Sequence, residues 1–339
     1  MPATIKDVAR KAKVSTATVS LVLHNHKRIS PATRRRVLKA VSDLNYRPSH
    51  AARGLVMRQT NNIGFVLTDD HFLRTEPFYT HIFLGTEFEA RDHDYYILLN
   101  SIPNNFEACD HLPRFILERN IDGIIVAGKV PDAFINCVHA FNLPIVFVDY
   151  YPQRGDYNAV LLDNVAGGEK ATEYLVSNGH EKIGFIGGDM NHPSIRDRFQ
   201  GYKIALTNAG IKLDERLVIT AESATIRQSG VHAAAELLKR RQTFSAVFAC
   251  NDAMAMGAMQ VFREKGYKLP DDISVIGFDD VTDDLMSEPP LSSMRVPKIE
   301  LGIESMRLVM ELLKKRTTKP RKILVPVELV ERCSVKKRI

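Results

Sequence analysis

Residues 4–23 read TIKDVARKAKVSTATVSLVL, and this stretch has the pattern of two short helices joined by a turn. Thr4 followed three residues later by Asp7 predicts a helix N-cap, and Ser15 is the candidate N-cap of a second helix. Apolar residues recur at helical spacing after each cap, at Ile5, Val8 and Ala9 and then at Val19, Val22 and Leu23. Two helices of about eight residues with a short turn between them predict a helix-turn-helix.

A third helix is predicted from Ser30-Pro31, where an N-cap residue precedes a proline in the first helical turn. The apolar stripe that follows consists of Val37, Leu38, Val41 and Leu44. Three such helices can bury one small core. We therefore expect an all-α helix-turn-helix domain at residues 1–48, with the N-terminal end of its second helix facing outward.

Charge is distributed unevenly along the chain. Residues 1–60 hold 13 Lys and Arg against 2 Asp and Glu, whereas residues 61–339 hold 33 against 38. A compact basic segment on a mildly acidic body is typical of a module that binds a polyanion such as DNA. A disordered basic tail would carry the same charge, but the helical periodicity argues against that alternative.

Composition excludes several other classes of protein. The 339 residues are 45% apolar, yet no stretch approaches the roughly 18 unbroken apolar residues of a membrane span. The first residues lack the apolar core of a secretory signal, so we expect a cytoplasmic protein. The sequence carries no nucleophile elbow, phosphate-binding loop or zinc-protease motif, and we predict neither an enzyme nor a metal site. The cysteines are expected to be buried, reduced thiols at Cys109, Cys137, Cys250 and Cys333.

From Ile63 onward, short apolar strands alternate with segments of helical length. Four strands lie between residues 63 and 148, and a second series lies between residues 183 and 278. Unbroken apolar strands between helices predict parallel sheets covered on both faces. Two such series predict an α/β core of two doubly wound lobes, with a ligand in the crevice at the carboxyl ends of the strands.

Three segments together resemble the LacI/GalR family of bacterial transcription regulators. These are residues 4–23, then YRPSHAARGL at 46–55 and NNIGFVL at 61–67, and the resemblance continues to LVERCS at 329–334. It implies a helix-turn-helix head, a hinge at 49–59 and a periplasmic-binding-protein-like core at 60–339. It further implies interleaved lobes, which we place at 60–161 plus about 292–322 and at 162–291 plus about 323–339. The residues alone would suggest a single division near 160.

In that family the second helix enters the major groove and its early residues reach base edges. The matching residues here are Thr16, Ala17 and Leu21, none of which can make a bidentate contact to guanine or adenine. Leu21 could alternatively be a core residue. Phosphate contacts, which set the register on DNA, are implied for Thr4, Ser15, Thr18, Ser20 and Arg28.

The resemblance also implies that the hinge contacts DNA. Its matching residues are Ala52, Arg53 and Leu55, and the leucine would wedge between base pairs in the minor groove. A helix this short is marginal alone, and Gly54 weakens it by about 1 kcal/mol. We therefore expect the hinge to order only when two copies pair on DNA; without the resemblance, a flexible linker would be preferred.

Effector-binding residues can be nominated in two ways. Polar side chains that follow apolar strands should face the crevice, which nominates Asp149, Asn251 and Asp279, together with Asp69-Asp70 after the first strand. The resemblance adds the arginine of SIRDRFQGY, Arg198, and the aromatic pair Phe78-Tyr79. Asp252 and Asp280 are instead expected to be N-caps of the following helices. The position where many relatives carry an aromatic platform is Thr225, and the chain contains no Trp.

The predicted function is that of a transcriptional regulator, in the repressor class, in the bacterial cytoplasm with the nucleoid. We expect a homodimer on a pseudo-palindromic operator, because one head covers too few base pairs for specificity. A small sugar bound between the lobes would control operator affinity, and no cofactor is expected. Two alternatives keep the architecture but change the signal, to a nucleobase or nucleoside or to a partner protein.

Overall fold

The computed structural model describes residues 3–23, 26, 28–46, 59–72, 78–152, 155–314 and 319–338. The chain divides into two compact units, residues 1–61 and 62–339. The first unit contains helices α1 (Ile5–Ala12), α2 (Thr16–Leu23) and α3 (Pro31–Asp43). Its core is formed by the buried residues Val8, Ala9, Ala12, Val19, Val22, Val37 and Ala40.

The predicted N-caps of this unit are present. The Thr4 hydroxyl accepts a hydrogen bond from the Asp7 backbone N–H, and the Asp7 carboxylate accepts one from the Thr4 backbone N–H at 3.0 Å. The Ser15 hydroxyl accepts from the Thr18 N–H at 3.1 Å, and the Ser30 hydroxyl from the Thr33 N–H at 3.3 Å. The predicted apolar stripe on α3 is wrong at one residue, because Leu38 is exposed.

The second unit alternates strands and helices. Its strands are β1 (Asn62–Thr68), β2 (Tyr96–Ile102), β3 (Gly123–Ala127), β4 (Ile145–Val148), β5 (Asn158–Leu162), β6 (Ile183–Ile186), β7 (Val218–Ile219), β8 (Ala246–Ala249), β9 (Ser274–Asp279), β10 (Ser292–Arg295), β11 (Lys322–Val325) and β12 (Glu328–Val330). Its helices are α4 (Asp69–Phe72), α5 (Phe78–Asp92), α6 (Arg114–Leu117), α7 (Asp132–His139), α8 (Asn164–Ser177), α9 (Pro193–Asn208), α10 (Arg227–Lys239), α11 (Asp252–Glu264) and α12 (Lys298–Lys314).

The strands form two six-stranded sheets, one in each lobe. The first sheet is parallel with the order β11-β5-β4-β3-β1-β2, and the second has the order β12-β10-β9-β8-β6-β7. In the second sheet β12 is antiparallel to β10, and the other pairs are parallel. This arrangement confirms the predicted α/β core of two doubly wound lobes. Strands β3 and β8 are fully buried, as expected for sheets covered on both faces.

The chain crosses between the lobes three times, after β5, after β10 and after β11. The two later crossings lie a few residues beyond the expected positions. Residues 292–295, placed in the first lobe from the sequence, pair with β9 of the second sheet, with Ser292 opposite Ile276. Residues 323–325, placed in the second lobe, pair with β5 of the first sheet. Pairing with strands that are distant in sequence decides which sheet each short strand joins. The local sequence does not indicate that pairing.

The cysteines differ from the expectation of four buried thiols. Cys109 and Cys137 are joined by a disulfide, with their Cα atoms 5.4 Å apart. Cys250 is a buried free thiol, whereas Cys333 is exposed. The fold brings the first pair together because the turn that contains Cys109 packs against α7, and a sequence separation of 28 residues gave no sign of this.

Candidate functional site

The exposed face of α2 carries the residues predicted to read base edges. Thr16, Ala17 and Leu21 are exposed, whereas Val19 and Val22 are buried in the helical core. Leu21 is 39% exposed, so its alternative assignment as a core residue is not supported. The structure therefore leaves these three side chains available for contact with a groove.

The residues predicted to contact phosphate lie in the same unit, and two of them stand at helix starts. Thr4 and Ser15 act as N-caps, and the Ser15 hydroxyl also lies 2.9 Å from that of Thr18. Arg28 is exposed and Ser20 is half-buried. The N-cap role of Ser15 does not compete with DNA contact, because a hydroxyl can accept one hydrogen bond and donate another. The hinge residues Ala52, Arg53 and Leu55 lie outside the described residues.

A cleft of about 1380 Å³ lies between the two lobes. It opens at the carboxyl ends of the parallel strands, where α/β sheets place their ligands. Of the nominated pair Asp69-Asp70, only Asp70 lines it. Its walls include every other residue nominated from the sequence as an effector contact, namely Phe78, Tyr79, Asp149, Arg198, Asn251 and Asp279. The convergence of these six side chains, which are up to 201 positions apart in sequence, identifies this cleft as the candidate ligand site.

Arg198 lies at the floor of the cleft on α9 and is 5% exposed. Its Nε donates to Asn164 Oδ1 at 2.8 Å, and its Nη1 donates to the Cys250 carbonyl at 2.6 Å. Nη1 also lies 3.6 Å from Asp279 Oδ1. The guanidinium stacks on the Phe278 ring at 3.6 Å from its centroid. These contacts fix the plane of the guanidinium and present a preorganised donor to a ligand.

Asn251 and Asp279 lie beside Arg198 at the ends of β8 and β9. Asn251 caps α11 by accepting from the Met254 N–H at 3.0 Å, and its amide donates to the Thr225 carbonyl at 2.9 Å. Asp279 has a φ of 117°, in a region that L residues rarely adopt. Such backbone conformations concentrate at functional sites. The arrangement places an amide and a carboxylate in fixed positions on the second lobe.

The Asp149 carboxylate is hydrogen-bonded to other side chains of the protein, which the sequence did not indicate. Its Oδ2 accepts from the Tyr79 hydroxyl at 3.0 Å, and its Oδ1 lies 3.4 Å from Ser194 Oγ. Ser194 also donates to the Asp149 carbonyl at 3.2 Å. Because Tyr79 and Asp149 belong to the first lobe and Ser194 to the second, Asp149 links the two walls of the cleft.

Phe78 and Tyr79 supply the aromatic surface of the cleft. Their rings meet edge to face with centroids 5.1 Å apart, and Tyr79 also packs on His71 at 4.6 Å. Tyr79 is buried, whereas Phe78 is half-buried and has Lys298 Nζ 5.7 Å from its ring centroid. Thr225 lines the cleft on the second lobe, as its sequence position suggested.

The expected N-cap roles of Asp252 and Asp280 are wrong. Asn251 caps α11, and Asp252 is its fully buried first residue, which accepts from Ser293 Oγ at 2.6 Å. Asp280 is paired with Arg295 and Arg332. Burial alone would raise the pKa of Asp280, but the hydrogen bonds from these two arginines hold it below its usual value. Partners from distant strands replace the local capping that the sequence suggested.

Several cleft residues were not nominated from the sequence. His192 precedes α9, and its buried Nδ1 has no hydrogen-bond partner among the residues that the structure describes. Burial lowers the pKa of His192, although the nearby Asp149 carboxylate opposes this effect. At the edge of the lobes, Lys129 Nζ lies 3.0 Å from Asp189 Oδ2. No motif marks these residues, so only the fold could reveal them.

The described part of the chain shows neither a metal site nor a membrane-spanning helix. No group of three or more His, Cys, Asp or Glu side chains there is arranged to hold a metal ion. Within the same residues, no helix has the length and apolar character to cross a membrane.

A helix-turn-helix unit followed by a two-lobed core with a ligand-sized cleft defines a ligand-controlled DNA-binding regulator. Residues 4–49 match the family described as "Bacterial regulatory proteins, lacI family". Residues 60–333 match "Periplasmic binding proteins and sugar binding domain of LacI family". The chain belongs to the LacI family and is a DNA-binding transcriptional repressor of that family.

Individual relatives extend over nearly the whole chain. The HTH-type transcriptional repressor PurR of Mannheimia succiniciproducens is 34% identical over 337 residues, or 99% of each chain. The ribose operon repressor of Haemophilus influenzae is 31% identical and covers 99% of this chain and 98% of its own. These relatives are transcriptional repressors and not enzymes, which confirms that expectation.

Solved structures agree with the fold. A lac repressor dimer bound to operator and the anti-inducer ONPF superposes with a TM-score of 0.81 at 26% identity, covering 99% of this chain and 100% of its own. The complex of the transcriptional regulator CelR with cellobiose superposes with a TM-score of 0.75 at 30% identity, covering 98% and 99%. Operator DNA and a small-molecule effector are therefore its partners.

Proposed function

We propose that the protein is a homodimeric cytoplasmic repressor that binds a pseudo-palindromic operator and changes its operator affinity when a small molecule occupies the cleft. The observation that carries this proposal is the buried group of Arg198, Asn251 and Asp279 facing the aromatic wall at Phe78. An arginine, an amide and a carboxylate held in fixed positions on the wall of an apolar-lined cleft are the kind of polar groups that orient a small-molecule ligand. Coupling between ligand and operator in such systems is typically 1–3 kcal/mol.

Operator reading would depend on apolar and hydroxyl contacts. Thr16, Ala17 and Leu21 can pack against thymine methyl groups, whereas strong bidentate contacts to guanine are not available from α2. The hinge would add a minor-groove wedge at Leu55, flanked by Ala52 and Arg53. Phosphate contacts from Thr4, Ser15, Thr18, Ser20 and Arg28 would position the head on the duplex.

An exposed apolar surface on the first lobe supports the homodimer. Leu84 and Phe88 on α5 are 36% and 46% exposed, and Tyr96 and Leu99 on β2 are 58% and 40% exposed. Strand β2 is also an edge of its sheet. Exposed apolar side chains on a helix and on an edge strand are common at protein interfaces, and the lac repressor neighbour is a dimer.

For the effector, we favour a nucleobase or nucleoside over a free sugar. The relatives that carry the name PurR favour this class, and the aromatic pair Phe78-Tyr79 supports it because a planar base stacks well on aromatic side chains. Arg198, Asn251 and Asp279 supply donors and acceptors for the polar edge of a base or for ribose hydroxyls. His192 Nδ1 adds a further hydrogen-bonding atom.

A free sugar is the second candidate and was the first expectation from the sequence. The ribose operon repressor relative and the cellobiose-bound neighbour support it. The carboxylate, amide and guanidinium groups suit vicinal hydroxyls, because they accept or donate in pairs. Against it, Thr225 occupies the place of the aromatic platform on which a sugar ring would rest.

Titration calorimetry separates these candidates. The purified protein is titrated with purine bases, purine ribonucleosides, ribose and cellobiose, and Arg198→Ala serves as the cleft-defective control. Heat with bases or nucleosides that disappears in the variant supports the proposal, whereas heat with ribose or cellobiose alone supports the sugar. No heat with any of them, together with operator affinity gained from cell extract, points to a partner protein.

Selection of random duplexes decides how the effector acts. A palindrome enriched only without the ligand found by calorimetry identifies an inducible repressor, and enrichment only with it identifies co-repression. If no palindrome is enriched in either arm, specific operator binding by a homodimer is excluded.

A further inference from the structure

The disulfide of the first lobe is not part of the effector cleft, because neither Cys109 nor Cys137 lines it. Cys109 begins the short helical turn Cys109–His111 between β2 and α6, and it is exposed. Cys137 lies in the second turn of α7 and is 6% exposed. The bond therefore joins an exposed residue to a buried one. A small thiol or disulfide reagent can reach it through Cys109.

We infer that Cys109 and Cys137 form a reversible thiol–disulfide site that is oxidised by a low-molecular-weight disulfide of the glutathione class and that stabilises the first lobe when oxidised. Disulfides are uncommon in reducing compartments and are there usually transient or redox-sensing. The proposed cytoplasmic location therefore makes reversibility the expected behaviour of this pair, although the inference does not depend on the effector.

The exchange proceeds in two balanced steps. The Cys109 thiolate attacks one sulfur of glutathione disulfide, which forms a mixed disulfide and releases one glutathione thiolate. The Cys137 thiolate then attacks the Cys109 sulfur and displaces the second glutathione. In total the two cysteines lose two protons and two electrons, and one glutathione disulfide becomes two glutathione thiols. Excess reduced glutathione reverses both steps.

The position of the bond explains why oxidation would stabilise this lobe. It closes a loop of 28 residues that contains α6 and β3, and β3 lies between β4 and β1 in the first sheet. The Phe106 and Phe134 rings pack edge to face 5.5 Å apart on the same two chain segments. Closing a loop of this length restricts the unfolded chain, and the native packing already holds the two cysteines together.

The other two cysteines differ from this pair in ways that make them controls. Cys250 is completely buried at the end of β8, and burial raises the pKa of its thiol to about 12, so its thiolate is scarce. Cys333 is exposed but belongs to the second lobe. An exposed cysteine without a paired cysteine can form only a mixed or intermolecular disulfide.

The test uses the full-length protein equilibrated in reduced or oxidised glutathione. Thiols are counted with Ellman's reagent after denaturation, the 109–137 cross-link is sought by peptide mass analysis, and the melting temperature is recorded in both states. We expect four thiols in the reduced state and no more than two in the oxidised state, because the exposed Cys333 can also form a mixed disulfide with glutathione. The oxidised state should melt higher by about 5 °C, given the loop length.

Substitutions assign these changes to the pair. Cys109→Ser and Cys137→Ser should each abolish the cross-link and the melting shift, whereas Cys333→Ser should retain both. Four thiols in oxidised glutathione, or equal melting temperatures with the cross-link present, would overturn the inference. A cross-link that involves Cys333 would overturn it as well. None of these readouts depends on operator or effector binding, so this inference can fail without affecting the proposed function.

Discussion

Arg198 connects the start of α8, the end of β8 and the end of β9 through single hydrogen bonds and an ion pair with Asp279. Its side chain and that of Asp279 are 7% and 10% exposed. Removing one partner of a buried pair leaves an uncompensated charge, which costs much more than the pair itself contributes. The same side chain is therefore important for stability as well as for ligand binding.

We expect Arg198→Ala to abolish effector binding and to lower the free energy of unfolding by about 3–5 kcal/mol. Operator affinity of the effector-free protein should stay within a few fold, because the head does not contain this residue. Calorimetry, urea unfolding and an operator titration measure the three quantities. The matched control is Arg196→Ala on the same helix, whose partner Asp197 is 3.7 Å away and which should change little. Loss of operator binding with effector binding intact would contradict the assignment.

A second residue pair predicts a dependence of stability on pH. The Val281 N–H donates to Asp252 Oδ2 at 3.2 Å and to Asp284 Oδ2 at 3.0 Å, so the two buried carboxyls lie side by side. Burial raises the pKa of both groups, and the neighbouring Asp252 charge raises that of Asp284 further. A raised folded-state pKa contributes stability at low pH, and this contribution is lost as pH rises through the raised value.

Asp284→Asn should flatten this dependence. The asparagine amide can donate to Asp252 at every pH, so the variant should gain about 1–2 kcal/mol of unfolding free energy over the wild type at pH 9 but little at pH 5. Urea unfolding at the two pH values measures this difference in unfolding free energy. Asp283→Asn, at the exposed neighbouring residue, is the control. Parallel profiles for wild type and Asp284→Asn would show that the pair holds no extra proton.

For individual residues, the sequence predicted which side chains lie in the cleft better than it predicted their hydrogen-bond partners. Asn251 and Asp279 could be placed in the cleft because polar residues at the ends of parallel strands share one edge of a sheet. The partners of Asp149 and Asp280 could not be predicted, since Ser194 lies 45 residues and Arg332 52 residues away. Hydrogen bonding across such separations depends on the folded backbone, and local sequence does not determine it.

At the scale of elements, α8 and α9 approach so closely that each needs a glycine at the crossing. A Cβ on Gly168 would lie 2.2 Å from the Arg198 carbonyl oxygen, and one on Gly201 would lie 2.1 Å from that of Val165. Both contacts are with backbone atoms, which cannot move aside as a flexible side chain can. The crossing therefore fixes the position of the helix that carries Arg198.

Gly168→Ala should force α8 and α9 apart and lower the free energy of unfolding by about 1–3 kcal/mol. It should also weaken effector binding, because the helix that bears Arg198 moves. The control is Gly210→Ala just after α9, where no atom lies within 4 Å and only the φ of 69° opposes an alanine. If Gly168→Ala left effector affinity unchanged while lowering stability, the crossing would have no part in positioning the site.

Helices and strands were predicted well where neighbouring residues in the sequence determine them. Caps such as Ser30 and the alternation of apolar strands with helices come from nearest neighbours and burial patterns. The sequence did not predict that β10 belongs to the second sheet, because SSMR at 292–295 carries only one large apolar residue. From the sequence, Gly167-Gly168 can be interpreted only as turn or close-packing glycines, and the helix that Gly168 meets cannot be identified.

At the scale of the whole core, the Lys129–Asp189 ion pair joins the first lobe to the second outside the buried site. The two side chains are 49% and 30% exposed, so the pair contributes at most about 1 kcal/mol. That amount still changes the population of a closed cleft several fold. Because the pair is exposed, salt should weaken it.

Lys129→Ala should speed hydrogen exchange of cleft peptides in both lobes by up to about fivefold at low salt, and less at high salt. Exchange followed by mass spectrometry measures this without any effector. The reversed pair Lys129→Asp with Asp189→Lys should restore slow exchange. The control is Arg114→Ala, which breaks the Arg114–Glu118 pair within one lobe. Equal acceleration in that control would show that the effect is general surface loosening.

The three chain crossings have a consequence for synthesis of the protein. The first lobe begins at β1, but α12 and its edge strand β11 follow the segment that forms most of the second lobe. At an ordinary rate of translation, the roughly 130 intervening residues take on the order of 10 s to emerge from the ribosome. During that time the apolar strands that α12 will cover have no native partner on that side. We therefore expect the nascent first lobe to need protection by chaperones, and a pause in translation within the second lobe would lengthen its exposure.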